Sequence, residues 1–175
     1  MAFHAELPVN EPLRLLVAIS GGEDPVLVDE VTRLVGTAPR PVQITLVHVV
    51  DIEPRALLGH GPAVRRGPWP SRPGGPEEHR LEDAEETASK AILATWHDRF
   101  RKSLSDAVRI DEEIRRGRPE HEIIAAAQLT GAGAVVLAAR ARIGPTEPGP
   151  RSLGHVARFV VDHSPAPVIL VRNRS

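Results

Sequence analysis

Five candidate strands, four of them short apolar runs, separated by stretches of helical periodicity, constrain this chain more than any other feature. Arg14 to Ile19 (RLLVAI) is a near-continuous apolar run, as expected for a strand covered on both faces. Val42 to Val50 (VQITLVHVV) is rich in β-branched residues and reads as a second strand. Ala107 to Ile114, Ala134 to Ala139 (AVVLAA) and Val168 to Arg172 (VILVR) supply three more.

Helical signals fill the intervals. Asp24 offers a side-chain N-cap with Pro25 at the first helical position, and Val26, Val31, Leu34 and Val35 form a stripe that Gly36 and Pro39 end. Glu77 to Leu104 predicts a long amphipathic helix, with Leu81, Ala84, Ala88, Ala91, Ile92, Thr95 and Trp96 at helical spacing. Pro119 to Thr130 predicts a short helix with Ile123, Ile124 and Ala127 inward. Leu153, Val156, Ala157, Val160 and Val161 follow the i, i+3, i+4, i+7, i+8 rule for a last one. Parallel strands need helical crossovers, so the order predicts an α/β protein. Its core is a five-stranded, mostly parallel, doubly wound sheet with helices on both faces.

In such sheets ligands bind at the carboxyl ends of the strands, near the point where strand order reverses. Two loops there have suitable chemistry: Ser20-Gly21-Gly22 after the first strand, and Ala138 to His155 after the fourth.

Composition narrows the options. With 175 residues and 41% hydrophobic content the chain suits one ordinary domain. Twenty-two basic residues against 23 acidic give a net charge of -1, so nothing draws the molecule toward DNA or an anionic membrane. Aromatics at 3% argue against a base-stacking platform. The absence of cysteine excludes disulfides, thiolate metal sites and a cysteine nucleophile. Neither a signal peptide nor a membrane span is legible, so a cytoplasmic location is expected. The eight histidines show no HExxH and no i, i+4 pair, which argues against a helical zinc site. Glu85-Glu86 and Asp111-Glu112-Glu113 read as solvated faces, and no Ser/His/Asp constellation is supported by spacing. From Pro54 to Pro76 the prolines and glycines are too dense for any regular element, which predicts a long mobile loop. Its cluster Arg65, Arg66 and Arg72 could reach an anion or simply be solvated.

The tail GAGAVVLAARARIGPTEPGPRSLGHVARFVVDHSPAPVILVR resembles the C-terminal half of the universal stress protein family. Gly117-Arg118-Pro119 resembles the family's Gly-x-Pro before its short helix, and LVHVVD its second strand. The resemblance runs from about Leu13, so residues 1–12 are expected to be an N-terminal extension and 13–175 the domain, with 54–76 as a variable insertion. It implies a Rossmann-like fold of the adenine nucleotide alpha hydrolase type and a regulatory, non-catalytic role, at most with slow ATP hydrolysis.

Family members that bind ATP or AMP carry G-x2-G-x9-G-[S/T], whose glycines admit phosphates to backbone amides and a helix N-terminus. Two alignments compete here. Gly144 and Gly154 match the last two glycines literally, with Ala141 in the first one's place. Aligning by the strand instead puts Ala138 and Ala141 on the first two glycines and lengthens the loop by three residues; it is preferred, because a buried strand's length changes less readily than a loop's. Either way His155 stands where the family has serine or threonine, off the apolar stripe and toward solvent or the ligand cleft. An imidazole there could hold a phosphate, in a pH-dependent way, or be merely exposed. Ser20 stands where nucleotide-binding relatives end the first strand in aspartate, and Val49 fits the position beside the adenine. ATP or AMP binding is therefore an expectation that the altered contacts weaken. The alternative is a nucleotide-independent dimeric interaction or scaffold protein.

SGGED at residues 20–24 also resembles the Ser-Gly-Gly-x-Asp-Ser loop of pyrophosphatase-type ATP enzymes. Pro25 replaces that motif's serine, losing both a hydroxyl and a backbone N–H, which makes this reading weaker. The last strand, Val168, Ile169, Leu170, Val171 and Arg172, is short and apolar. At a sheet edge its unpaired backbone would invite a second copy, and the family resemblance implies a homodimer through it.

Overall fold

The computed structural model describes residues 11–22, 24–51, 76–139 and 153–172. Ala141, Gly144, the arginines at 65, 66 and 72, residues 52–75 and residues 1–10 lie outside the described residues, as does the Leu81 side chain.

Nine elements alternate along the chain: β1 (Leu13–Ile19), α1 (Pro25–Thr37), β2 (Val42–Asp51), α2 (Pro76–Ser103), β3 (Arg109–Gly117), α3 (Pro119–Thr130), β4 (Ala134–Ala139), α4 (His155–His163) and β5 (Val168–Arg172). The strands form one sheet in the order β3-β2-β1-β4-β5, every neighbouring pair parallel. The chain steps outward from β1 through β2 to β3, then crosses to β4 and continues outward to β5. The reversal therefore falls between β1 and β4.

Side chains alternate across the sheet and build a separate core on each face. On one face Leu15, Val17, Ile44, Leu46 and Val136 meet Leu27, Val28 and Val31 of α1 and Leu93, Trp96 and Phe100 of α2. On the other, Leu16, Val47, Val135 and Leu137 meet Ile123, Ala126 and Ala127 of α3 and Ala157 and Val160 of α4. This is why the central strands read as continuous apolar runs.

Local signals set most element ends. Asp24 Oδ1 accepts the Leu27 amide at 3.2 Å with Pro25 at the start of the helix, as predicted. In three places the packing departs from the sequence reading. Ala84, Ala88, Ala91 and Thr95 are exposed on α2, and the buried row is Ser89, Leu93, Trp96 and Phe100. Alanines bury little area, so the large aromatics decide which side of the helix faces the sheet. Val161 is likewise exposed, because Ala157 and Val160 already fill the α4 contact.

The third departure is β3, which starts at Arg109 rather than Ala107. The Ser105 hydroxyl accepts the Ala107 amide and the Ser105 carbonyl accepts that of Val108, so a turn occupies the first predicted residues. The strand then runs on through charged residues to Gly117, pairing with β2 as far as Asp51. Its acidic run is not simply solvated. Asp111 accepts Gln43 Nε2 at 2.7 Å, Glu113 pairs with Arg115 at 2.6 Å, and Glu112 meets His97 of α2 at 2.5 Å.

Candidate functional site

The crevice at the carboxyl ends of β1 and β4 is built by register. Ile19 pairs with His48, and Ala18 with Leu137. One residue further on, Ser20 is level with Val49 on one side and Ala139 on the other. Ser20, Gly21 and Gly22 are exposed there. Below them the Trp96 indole nitrogen donates to the Ser20 carbonyl at 3.1 Å, and a Cβ on Gly21 would stand 3.5 Å from Ile92 Cδ1. The long helix α2 thus holds the first loop from beneath.

Val49 packs on the α3 and α4 side of the sheet. Ala138 is half-buried and, two residues after Val136, points to the opposite face. Its backbone is at the crevice while its methyl is turned away from Val49.

Gly154 is the N-cap of α4, with φ 81° and ψ 157° and no side-chain cap hydrogen bond. That backbone region is essentially restricted to glycine. The helix therefore presents its first-turn amides and the positive end of its dipole with no capping side chain of its own. His155 follows as the first helical residue, and its side chain is 78% exposed, as the helical geometry predicts.

Glu120 is a feature beside His155 that sequence reasoning missed. It lies in the first turn of α3, its side chain only 6% exposed, and His155 Nε2 reaches its Oε1 at 3.3 Å. Burial raises its carboxyl pKa, but its own backbone N–H, His155 and Arg118 together outweigh that and hold it below the ordinary carboxylate range. The signal was a glutamate directly after Gly-Arg-Pro, a spot in a helix's first turn where a carboxylate is favoured.

His48, at the end of β2, is the second feature missed. Burial lowers its pKa, only partly offset by the Ile19 backbone, and its buried Nδ1 has no hydrogen-bond partner among the described residues. It carries no distinctive sequence spacing, being one alternate residue of an apolar strand.

The sheet edges differ sharply in chemistry. β3 carries Arg109, Asp111, Glu113 and Arg115 in ion pairs, whereas β5 offers half-buried Val168, Ile169 and Leu170. Among the described residues no helix is long and apolar enough to cross a membrane.

Comparison with known proteins gives one consistent answer. The universal stress protein family model matches residues 13–172. A universal stress protein from Lactobacillus plantarum superposes with a TM-score of 0.63 at 21% identity, over 93% of this chain and 100% of that one. One from Archaeoglobus fulgidus gives 0.59 at 25% identity, over 91% and 98%. A family protein from Arabidopsis thaliana with AMP bound gives 0.58 at 17% identity, over 94% of each chain. No curated protein matches.

Proposed function

Because the chain belongs to the universal stress protein family, we propose that it is a non-catalytic regulatory module that binds AMP or ATP where strand order reverses. One observation carries the reading: α4 opens at Gly154 in a glycine-only conformation with no side-chain cap, on the side of the sheet where Val49 packs. Phosphate would lie at the α4 amides beside His155, with the base toward Val49 and the Ser20-Gly21-Gly22 backbone alongside. Ala138 near the end of β4 completes the set, with Ala141 and Gly144 from the sequence between β4 and α4. The AMP held by the Arabidopsis protein supports the choice of an adenine nucleotide.

Ser20 and His155 make this a variant site, with a hydroxyl for a carboxylate at one end and an imidazole for a hydroxyl at the other. The non-catalytic assignment is supported by the first loop. Asp24 spends its carboxylate on the Leu27 amide, and Pro25 brings no hydroxyl, so the residues that resemble a pyrophosphatase loop serve helix α1 instead.

Calorimetric titration with AMP and with ATP at pH 6 and pH 8 tests the reading. Saturable binding of either nucleotide is expected, weakened in His155→Ala; no heat at either pH overturns it. A nucleotide-independent dimeric scaffold is the second reading, favoured by the half-buried apolar residues of β5 at the sheet edge. In it, Val168, Ile169, Leu170, Val171 and Arg172 pair with the same strand of a second copy.

A further inference from the structure

A side chain of the long helix holds the first loop of the crevice, and that hold fixes the direction of a peptide. Trp96 Nε1 donates to the Ser20 carbonyl at 3.1 Å, from an indole buried between α2 and the sheet. The peptide joining Ser20 to Gly21 is planar and trans, so the Ser20 carbonyl and the Gly21 N–H point in opposite directions. With the carbonyl drawn toward α2, the N–H is turned away from it. Helices α2 and α4 pack on opposite faces of the sheet, so the Gly21 N–H is directed out of the α2 core and toward the α4 side. Gly21 rests on the same helix, since a Cβ there would stand 3.5 Å from Ile92 Cδ1, yet the residue is exposed.

The tie matters because two glycines follow Ser20. Gly21 and Gly22 carry no side chain, so their peptides can turn over at little steric cost. The indole is rigid and packed, its ring stacked 6.2 Å from that of Phe100, and it supplies the restraint that the glycines lack.

We propose that Trp96 is a positioning residue for the ligand: by fixing the Ser20-Gly21 peptide it aims the Gly21 N–H into the crevice as a donor to an oxygen of the nucleotide. This rests on the nucleotide reading given above and adds the first loop's own contact to it. The acceptor is an oxygen of ribose or of phosphate, because the loop runs alongside a ligand whose base lies at Val49 and whose phosphate lies at the α4 amides. Trp96 does not touch the ligand and acts through the peptide. Without the indole donor the peptide can turn over and face the ligand oxygen with its carbonyl, an acceptor against an acceptor. The ligand then loses one hydrogen bond, which is worth about three- to tenfold in affinity.

The test is isothermal titration of wild type, Trp96→Phe and Leu104→Ala with AMP and with adenosine. Trp96→Phe keeps a ring in the core but removes the donor, and is expected to weaken AMP binding about three- to tenfold. Leu104→Ala opens the same core just past the end of α2 and leaves the donor in place, so it should lower stability but keep AMP affinity within about twofold. Equal weakening in the two variants would mean that Trp96 acts only through the stability of the core, and overturns the proposal. Unchanged AMP affinity in Trp96→Phe overturns it as well. Adenosine weakened as much as AMP supports it with the acceptor on the ribose; AMP weakened alone supports it with the acceptor on the phosphate. If Trp96→Phe folds poorly, the wild type still decides the matter through its proton–nitrogen correlation spectrum. The Gly21 amide proton should move downfield as AMP is added, and a Gly21 amide that stays in place while other crevice amides shift overturns the proposal. Absence of binding by both AMP and adenosine in the wild type sinks the underlying nucleotide reading too, whereas the other failures leave it standing.

Discussion

The indole nitrogen of Trp96 donates to the backbone carbonyl of Ser20 across 76 positions of sequence, tying the long helix α2 to the loop that ends β1. Trp96 is 3% exposed and its ring lies 6.2 Å from that of Phe100. The hydrogen bond and the packing can be separated by substitution. Trp96→Phe should cost about 0.5–1.5 kcal/mol for the lost hydrogen bond, with some added loss of packing. Trp96→Ala should cost about 3–5 kcal/mol. Urea denaturation of both variants measures the difference; no loss in Trp96→Phe would show that the Ser20 contact contributes nothing beyond packing.

Phe100 and Leu129 set the range for apolar substitutions. Phe100 is 0% exposed between α2 and the sheet, so Phe100→Ala should destabilise by about 3–5 kcal/mol. Leu129 is 77% exposed on α3, and Leu129→Ser should shift stability by no more than about 0.5 kcal/mol. A large loss at Leu129 under dilute conditions would mean that another surface covers it.

The fold was legible because its strongest signals are local and redundant. Asp24 with Pro25 starts α1 from sequence alone, and the β4 and β5 runs kept the bounds read from their apolar residues. Where the reading slipped, a nonlocal choice decided. The row through Ala84, Ala88, Ala91 and Thr95 fits helical spacing, but so does the buried row through Ser89, Leu93 and Phe100, and only the bulk of Trp96 and Phe100 against the sheet selects the second. The site was less legible for the same reason. His155 could be placed at the crevice, yet Glu120 is 35 positions away from it in sequence, and their meeting depends on how α3 and α4 pack. A burial-driven pKa such as that of His48 likewise has no sequence spacing to announce it.

Stability should depend on pH in two separate windows. Burial depresses the pKa of His48 from 6.5, so the unfolded chain takes up a proton before the folded one does. That contribution is intact above about pH 6.5 and declines as pH falls toward the lower folded value. Glu120 and Asp111 are also depressed, so what they add is present above the ordinary carboxylate range and disappears at more acid pH. Urea midpoints at pH 7.5 and 5.5 should therefore fall on acidification, and by less in His48→Leu. An unchanged drop in that variant would remove His48 as a source.

The two sheet edges predict where a second copy docks. Charged residues in ion pairs guard β3, and such edges resist pairing, while β5 presents apolar side chains beside unpaired backbone groups. Sedimentation equilibrium at micromolar concentration should give a dimer. Ile169→Lys should shift it toward monomer, and Ile110→Lys on the opposite edge should not. Monomer for the wild type contradicts the assignment.

Two glycine-to-alanine substitutions should move stability in opposite directions. Gly36 lies in the last turn of α1, and a Cβ there would meet nothing within 4 Å. Gly36→Ala should therefore stabilise by about 0.5–1 kcal/mol, through helix propensity and a less flexible unfolded chain. Gly154 holds φ 81° and ψ 157° at the N-cap of α4, where any side chain is strained. Gly154→Ala should cost about 1–3 kcal/mol, or else let the start of α4 shift. The second outcome keeps stability but moves the first-turn amides, so AMP titration of the same variant distinguishes the two. A Gly154→Ala protein with unchanged stability and unchanged AMP affinity would show that the glycine-only conformation is required by neither the fold nor the site.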